Sequence, residues 1–186
     1  MLVSVEGRMG MGKTLTATYF GVKEHQENGK RIFATYHLHG VKYEYLTLET
    51  FYKLFTNAEQ GITELSHCVF LLDEAYLFMD SRLSSSQINR LFNAFTFQSR
   101  KREVDIFLTT HDIMRIDRRI RSNIDIRISC RFNPTTQRVT LRMRDMHTGW
   151  RKRVLISAPA VYPYYSTEEI VRPQGKAYRI KQADLL

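Results

Sequence analysis

The stretch that most restricts what this chain can become is Gly7-Arg8-Met9-Gly10-Met11-Gly12-Lys13-Thr14, which fits G-x-x-x-x-G-K-[ST]. Its surroundings matter as much as its letters. Apolar Leu2-Val3-Ser4-Val5 runs straight into the first glycine, as a short buried strand ending in a tight loop does. Thr14 to about Gln26 reads as a helix, closed by Asn28-Gly29. Between a strand and a helix, such glycines let backbone N–H groups converge on phosphate oxygens, and the helix N-terminus adds partial positive charge. Lys13 is then placed to neutralise β- and γ-phosphates, and the Thr14 hydroxyl to ligate Mg²⁺. The expected contacts of ATP are Gly7, Arg8, Met9, Gly10, Met11, Gly12, Lys13, Thr14 and Leu15.

Further along, strand-like and helix-like segments alternate. Arg31–Tyr36 reads as a strand, Leu46–Phe55 as a helix and Cys68–Leu72 as a strand buried on both faces. Ser84–Arg100 carries Ile88, Leu91, Phe92 and Phe95 at helical spacing, with serines as candidate N-caps, and Val104–Thr109 is another strand. Alternation of this kind predicts an α/β fold with a mostly parallel central sheet. The last third differs. Ile124–Phe132, Arg138–Asp145 and Trp150–Ile156, joined by polar turns, predict an antiparallel meander. Its alternation sets Val139, Leu141 and Met143 against Arg138, Arg142 and Arg144, and Ile126, Ile128 and Cys130 against Arg127 and Arg131. Arg151 and Arg153 extend the arginine set. With no repeat and no linker, residues 1–186 read as a single domain: a nucleotide-binding core over 1–123, a basic meander over 124–160 and a packed tail over 161–186.

Three further groups carry chemistry. Asp73 follows the buried run Val69-Phe70-Leu71-Leu72, where a carboxylate can hold Mg²⁺ opposite Thr14. Its neighbour Glu74 can polarise a water for in-line attack on the γ-phosphate. Thr109-Thr110-His111-Asp112 lies past another strand, where ligands of open parallel sheets bind. Thr110 or His111 could sense the γ-phosphate there, or simply cap the next turn. Among the arginines, Arg119, Arg121 and, behind them, Arg100 are candidates for a finger offered to a neighbouring subunit's γ-phosphate. The others are candidates for nucleic-acid phosphates or for helix-dipole stabilisation.

Charge distribution narrows the partner. Residues 100–153 hold 15 Lys and Arg, 13 of them Arg, against 6 acidic residues, so this segment carries the whole net charge of +9. A clustered positive field favours a polyanion, and the expected DNA contacts are Arg127, Arg131, Arg138, Arg142 and Arg144. With 43% apolar residues and only 4 Pro, the chain is neither a disordered tail nor a linker. Cys68 and Cys130 both fall in apolar runs, which excludes a disulfide scaffold or a four-cysteine zinc site and suits a reducing compartment. No apolar stretch approaches the roughly 20 residues of a membrane span, and no secretory leader is evident at the start. A cytoplasmic protein is expected.

Taken together, Gly7–Thr14, Asp73-Glu74, the stretches Ser99–Arg102, Leu108–Asp112 and Asp117–Arg121, and Tyr164–Glu169 resemble the FtsK/HerA-like group of P-loop ATPases, in its viral genome-packaging and zonular-occludens-toxin-like branch. The resemblance implies a three-layer P-loop NTPase sandwich, ATP with Mg²⁺, catalysis by Lys13 and Glu74, and a homo-oligomeric ring acting on DNA. It favours a genome-packaging DNA translocase, virion-associated or in the host cytoplasm and working with capsid or portal-type proteins. A filamentous-virus assembly or export ATPase is the alternative, because export relatives carry a membrane span that this chain lacks. A small P-loop nucleotide or nucleoside kinase and a non-catalytic DNA-binding module are the other readings. The group often has Gln where this chain has His111, which leaves the sensor role open.

Overall fold

The structure is a computed structural model describing residues 1–61, 65–77 and 87–166. Strand β1 (Leu2–Glu6) leads through the glycine loop into helix α1 (Lys13–Asn28). β2 (Arg31–Ala34), β3 (Tyr43–Tyr45) and α2 (Leu48–Glu59) follow, then β4 (Cys68–Leu72) and α3 (Gln87–Ser99). β5 (Val104–Thr110), the single turn α4 (Arg118–Arg121), β6 (Ile126–Asn133), β7 (Arg138–Asp145) and β8 (Arg151–Ser157) complete the order. All eight strands form one sheet, ordered β3-β2-β4-β5-β1-β6-β7-β8. β3, β2, β4, β5, β1 and β6 run parallel, and β7 and β8 are antiparallel additions. The predicted meander therefore continues the central sheet, because its first strand pairs with β1, Val3 opposite Ile126 and Glu6 opposite Ser129.

Strand alternation divides the core between the two faces. Val3, Val5, Val69, Leu71 and Phe107 face α1 and pack with its Leu15 and Ala17. Leu2, Phe70, Leu72, Ile106 and Leu108 face the other way, against Phe51 and Phe55 of α2, Phe92 and Phe95 of α3 and Ile120 of α4. The result is a three-layer α/β sandwich. α1 lies close to the sheet at Gly21, where a Cβ would meet the Leu71 methyls at 2.7 Å. α2 starts later than its apolar pattern suggests because Thr47 and Thr50 form a reciprocal capping box, each side chain accepting from the other's backbone N–H at 3.1 and 2.8 Å. β3 was not foreseen: it is three residues long, half-exposed or exposed throughout, and lies at the sheet edge. Residues 84–86 and 167–186 lie outside the described residues, and so do the side chains of Ile88 and Arg100. Of the tail, residues 161–166 are described.

Of these, Val161 is buried, Tyr164 and Tyr165 are half-buried, and Tyr162, Pro163 and Ser166 are exposed. After β8 the chain turns through Ala158–Ala160 and Tyr162–Tyr164, burying Ala158 and Val161 on the α1 face. It reaches the loop beyond β2, where the His39 N–H donates to the Tyr164 carbonyl at 2.8 Å and Leu38 bridges to Tyr165. On the opposite face, the apolar core draws no described side chain from β6, β7 or β8. There the register forms arginine rungs instead: Arg127 opposite Arg144 opposite Arg151, and Ser129 opposite Arg142 opposite Arg153. Arg131 and Arg138 fall on the same face.

Candidate active site

The glycine loop leaves the end of β1 and passes beside Cys130 of β6, whose carbonyl would lie 3.2 Å from a Cβ on Gly7. Gly10 and Gly12 have φ of 73° and 84°, left-handed values that favour glycine. A Cβ on Gly12 would also sit 2.8 Å from a Val139 methyl, so the loop rests directly on β7. The turn closes with the Met11 N–H on the Arg8 carbonyl at 3.2 Å. Met9 at the tip is 90% exposed, whereas Lys13 is only 7% exposed, folded under the loop with Nζ 3.5 Å from the Arg8 carbonyl. Leu15 contributes its side chain to the core.

β4 brings Asp73 to this loop. The Thr14 hydroxyl donates to Asp73 Oδ1 at 2.9 Å, as expected of two groups that share a cation. Thr109 Oγ1 donates to the same oxygen at 2.6 Å and accepts the Glu74 N–H at 2.9 Å, while Thr35 Oγ1 accepts the Asp73 N–H at 2.9 Å. From the sequence alone Thr109 has a place in the third motif but no role, and Thr35 has neither. The signal was the parallel register, in which Leu72 lies opposite Leu108 and so sets Thr109 beside Asp73. Burial lifts the Asp73 carboxyl above the usual carboxylate range, and Glu74 adds to this against the two threonine hydrogen bonds and Lys13. A buried carboxylate beside a hydroxyl is a donor set that fits Mg²⁺, which takes one or two protein oxygens and completes its shell with phosphate and water.

Glu74 has φ of 46°, a left-handed value for a residue with a side chain. Its Oε1 lies 3.8 Å from Lys13 Nζ and its Oε2 lies 3.5 Å from His111 Nδ1. Oε2 is buried and has no hydrogen-bond partner among the described residues. Thr110 is fully buried, and its hydroxyl meets the Asp112 backbone at 2.9 and 3.2 Å. The cap of the next turn is Asp112, whose side chain accepts the Met114 N–H at 2.8 Å. His111 instead turns toward Glu74.

The family profile of zonular occludens toxin (Zot) matches residues 1–157. The chain belongs to the Zot family. A search of curated protein sequences gives no match. Among solved structures, the N-terminal domain of zonular occludens toxin from Neisseria meningitidis aligns with a TM-score of 0.67 at 15% identity, over 89% of this chain and 98% of that one. The genome packaging NTPase B204 from Sulfolobus turreted icosahedral virus 2, in complex with ATP-gammaS, aligns with a TM-score of 0.57 at 12% identity, over 82% and 95%. The ATPase domain of G40P aligns at 0.52 and 10% identity, over 90% and 84%. These likenesses establish the P-loop NTPase fold.

In this Zot-family chain the arginine set is not uniform. Arg127 forms a two-pronged pair with Glu6 of β1, Nε to Oε1 at 2.7 Å and Nη2 to Oε2 at 2.5 Å, so its charge is already matched. Arg131, Arg138, Arg142, Arg144, Arg151 and Arg153 make no ion pair among the described residues, and like charges directly opposite one another repel. Of the finger candidates, Arg119 binds Asp117 through Nε and Nη2 at 3.2 and 3.0 Å. Arg121 reaches Met114 Sδ at 2.7 Å, and its buried Nε has no hydrogen-bond partner among the described residues. No helix among the described residues is long and apolar enough to cross a membrane.

Proposed function

We propose that this Zot-family protein hydrolyses ATP and couples the reaction to work on DNA, in the assembly or export of a filamentous virus. The observation that carries the ATPase reading is the Thr14 hydroxyl on Asp73 at 2.9 Å, with Lys13 and Glu74 beside it. Loop N–H groups and Lys13 would hold the β- and γ-phosphates, while Thr14 and Asp73 would hold Mg²⁺. Bound there, the cation would neutralise charge developing on the phosphates. Glu74 would take the proton of the attacking water.

Export gains on packaging because the family profile is that of Zot, although B204 shares the fold. A missing span does not weigh against export, since the Neisseria structure that aligns is itself only an N-terminal domain. A kinase needs no carboxylate beside Asp73 and ranks behind. The arginine face of β6–β8 is the proposed DNA contact through Arg131, Arg138, Arg142 and Arg144, with Arg127 braced by Glu6. Residues 1–123, 124–160 and 161–186 serve as catalytic core, basic extension and tail of one domain. We assign the arginine finger of a homo-oligomeric ring to Arg121, ahead of Arg119 and Arg100.

The deciding experiment is Glu74→Gln. Loss of a general base lowers turnover by about 10²–10⁴, while ATP binding, measured by calorimetry with Mg²⁺, survives. Hydrolysis at the wild-type rate would overturn the assignment.

A further inference from the structure

Resting on the assignment of Glu74 as the base, we infer that His111 is its positioning residue, holding one carboxylate oxygen so that the other faces the water. Arg115 Nη1 lies 3.0 Å from His111 Nε2. A guanidinium only donates, so Nε2 must accept and the ring proton sits on Nδ1. Nδ1 is the nitrogen that faces Glu74 Oε2, at 3.5 Å. The imidazole is thus a neutral donor aimed at a buried oxygen that has no hydrogen-bond partner among the described residues.

The surroundings keep it there. The Arg115 guanidinium lies 4.0 Å above the Tyr76 ring, and Tyr76 meets the imidazole edge-on at 5.1 Å and 82°. From the other side, Thr109 accepts the Glu74 N–H at 2.9 Å. Glu74 is therefore oriented at its backbone by Thr109 and at its carboxylate by His111. Its remaining oxygen, Oε1, points to Lys13 and hence to the phosphate side of the site. When the lysine turns to a nucleotide, Oε1 is left for water. A 3.5 Å separation is long for a hydrogen bond, but catalytic contacts commonly tighten when substrate binds. His111 thereby acts on the base and not on the phosphate.

The test uses the full chain. His111→Ala should lower kcat about 10- to 100-fold, the usual effect of removing a group that orients a reacting one, with KM for ATP unchanged. His111→Gln, which keeps a donor, should recover most of the loss. Nitrogen-15 NMR of the nucleotide-free protein should show a His111 ring protonated at Nδ1 alone. An Nε2-protonated ring in the wild type would overturn the inference. So would wild-type kcat in His111→Ala while Glu74→Gln is inactive. Wild-type turnover in Glu74→Gln would instead remove the assignment of Glu74 as the base, on which the inference rests.

Discussion

Asp73 shows what a binding site demands of single residues. Its carboxyl is raised by burial, so an ionised Asp73 opposes folding when no cation is present. Below the ordinary carboxylate range both folded and unfolded chains hold the proton, and no penalty exists. As pH rises through that range the unfolded chain ionises first, and stability falls until the folded carboxyl follows. Asp73→Asn should therefore raise the unfolding midpoint of the nucleotide-free protein at pH 7, an advantage that shrinks below pH about 4. The same change should reduce the stabilisation by MgATP in thermal melts. Lys13→Ala should behave differently, abolishing most ATP affinity in calorimetry, because Lys13 is the lysine proposed to reach the β- and γ-phosphates. The loop and Asp73-Glu74 were legible because each is a run of neighbours whose chemistry follows from local backbone. Thr109, Thr35 and the Glu6–Arg127 pair were not, since each depends on residues brought together by strand register.

Elements were legible to the degree that their pattern was long. β4 and β5, wholly buried and apolar at their cores, fall where the sequence places them, whereas the edge strand β3 has no periodicity to betray it. α4 is a single turn held by its cap, in which Asp117 accepts the Arg119 N–H at 2.8 Å as well as the guanidinium. Burial raises the Asp117 carboxyl, but the bonds from Arg119 outweigh it and hold the group below the usual range. Its contribution is therefore complete above the ordinary carboxylate pKa and is lost as pH falls through the lower folded value. Asp117→Ala should cost about 1 kcal/mol at pH 7, a difference that vanishes in acid urea titrations. The α2–α3 layer rests on aromatic contacts such as Phe55 to Phe95, 4.5 Å between centroids. Phe55→Ala should cost about 3–5 kcal/mol in the same titrations at neutral pH.

At the scale of the molecule, Arg138, Arg142 and Arg144 lie on one sheet face. Replacing all three by Glu should abolish DNA stimulation of turnover and leave basal hydrolysis near the wild-type rate. Wild-type DNA affinity should fall steeply with salt through counterion release, and salt-insensitive binding would return these arginines to a solvated surface. For the ring, mixing Lys13→Ala with Arg121→Ala chains should restore turnover at interfaces that join an intact loop to an intact arginine. The contact between Gly12 and Val139 gives this arrangement a mechanical meaning. A pull along a polymer held on the arginine face would enter β6 and β7 and load the β1–β6 ladder in shear, with its hydrogen bonds sharing the tension. The strand that would take up this force runs straight into the glycine loop, so on the proposed function the sheet would be a stiff plate with a handle at one edge and the fuel chamber at its midline. Travel at the handle and strain at the loop are then two readings of one displacement.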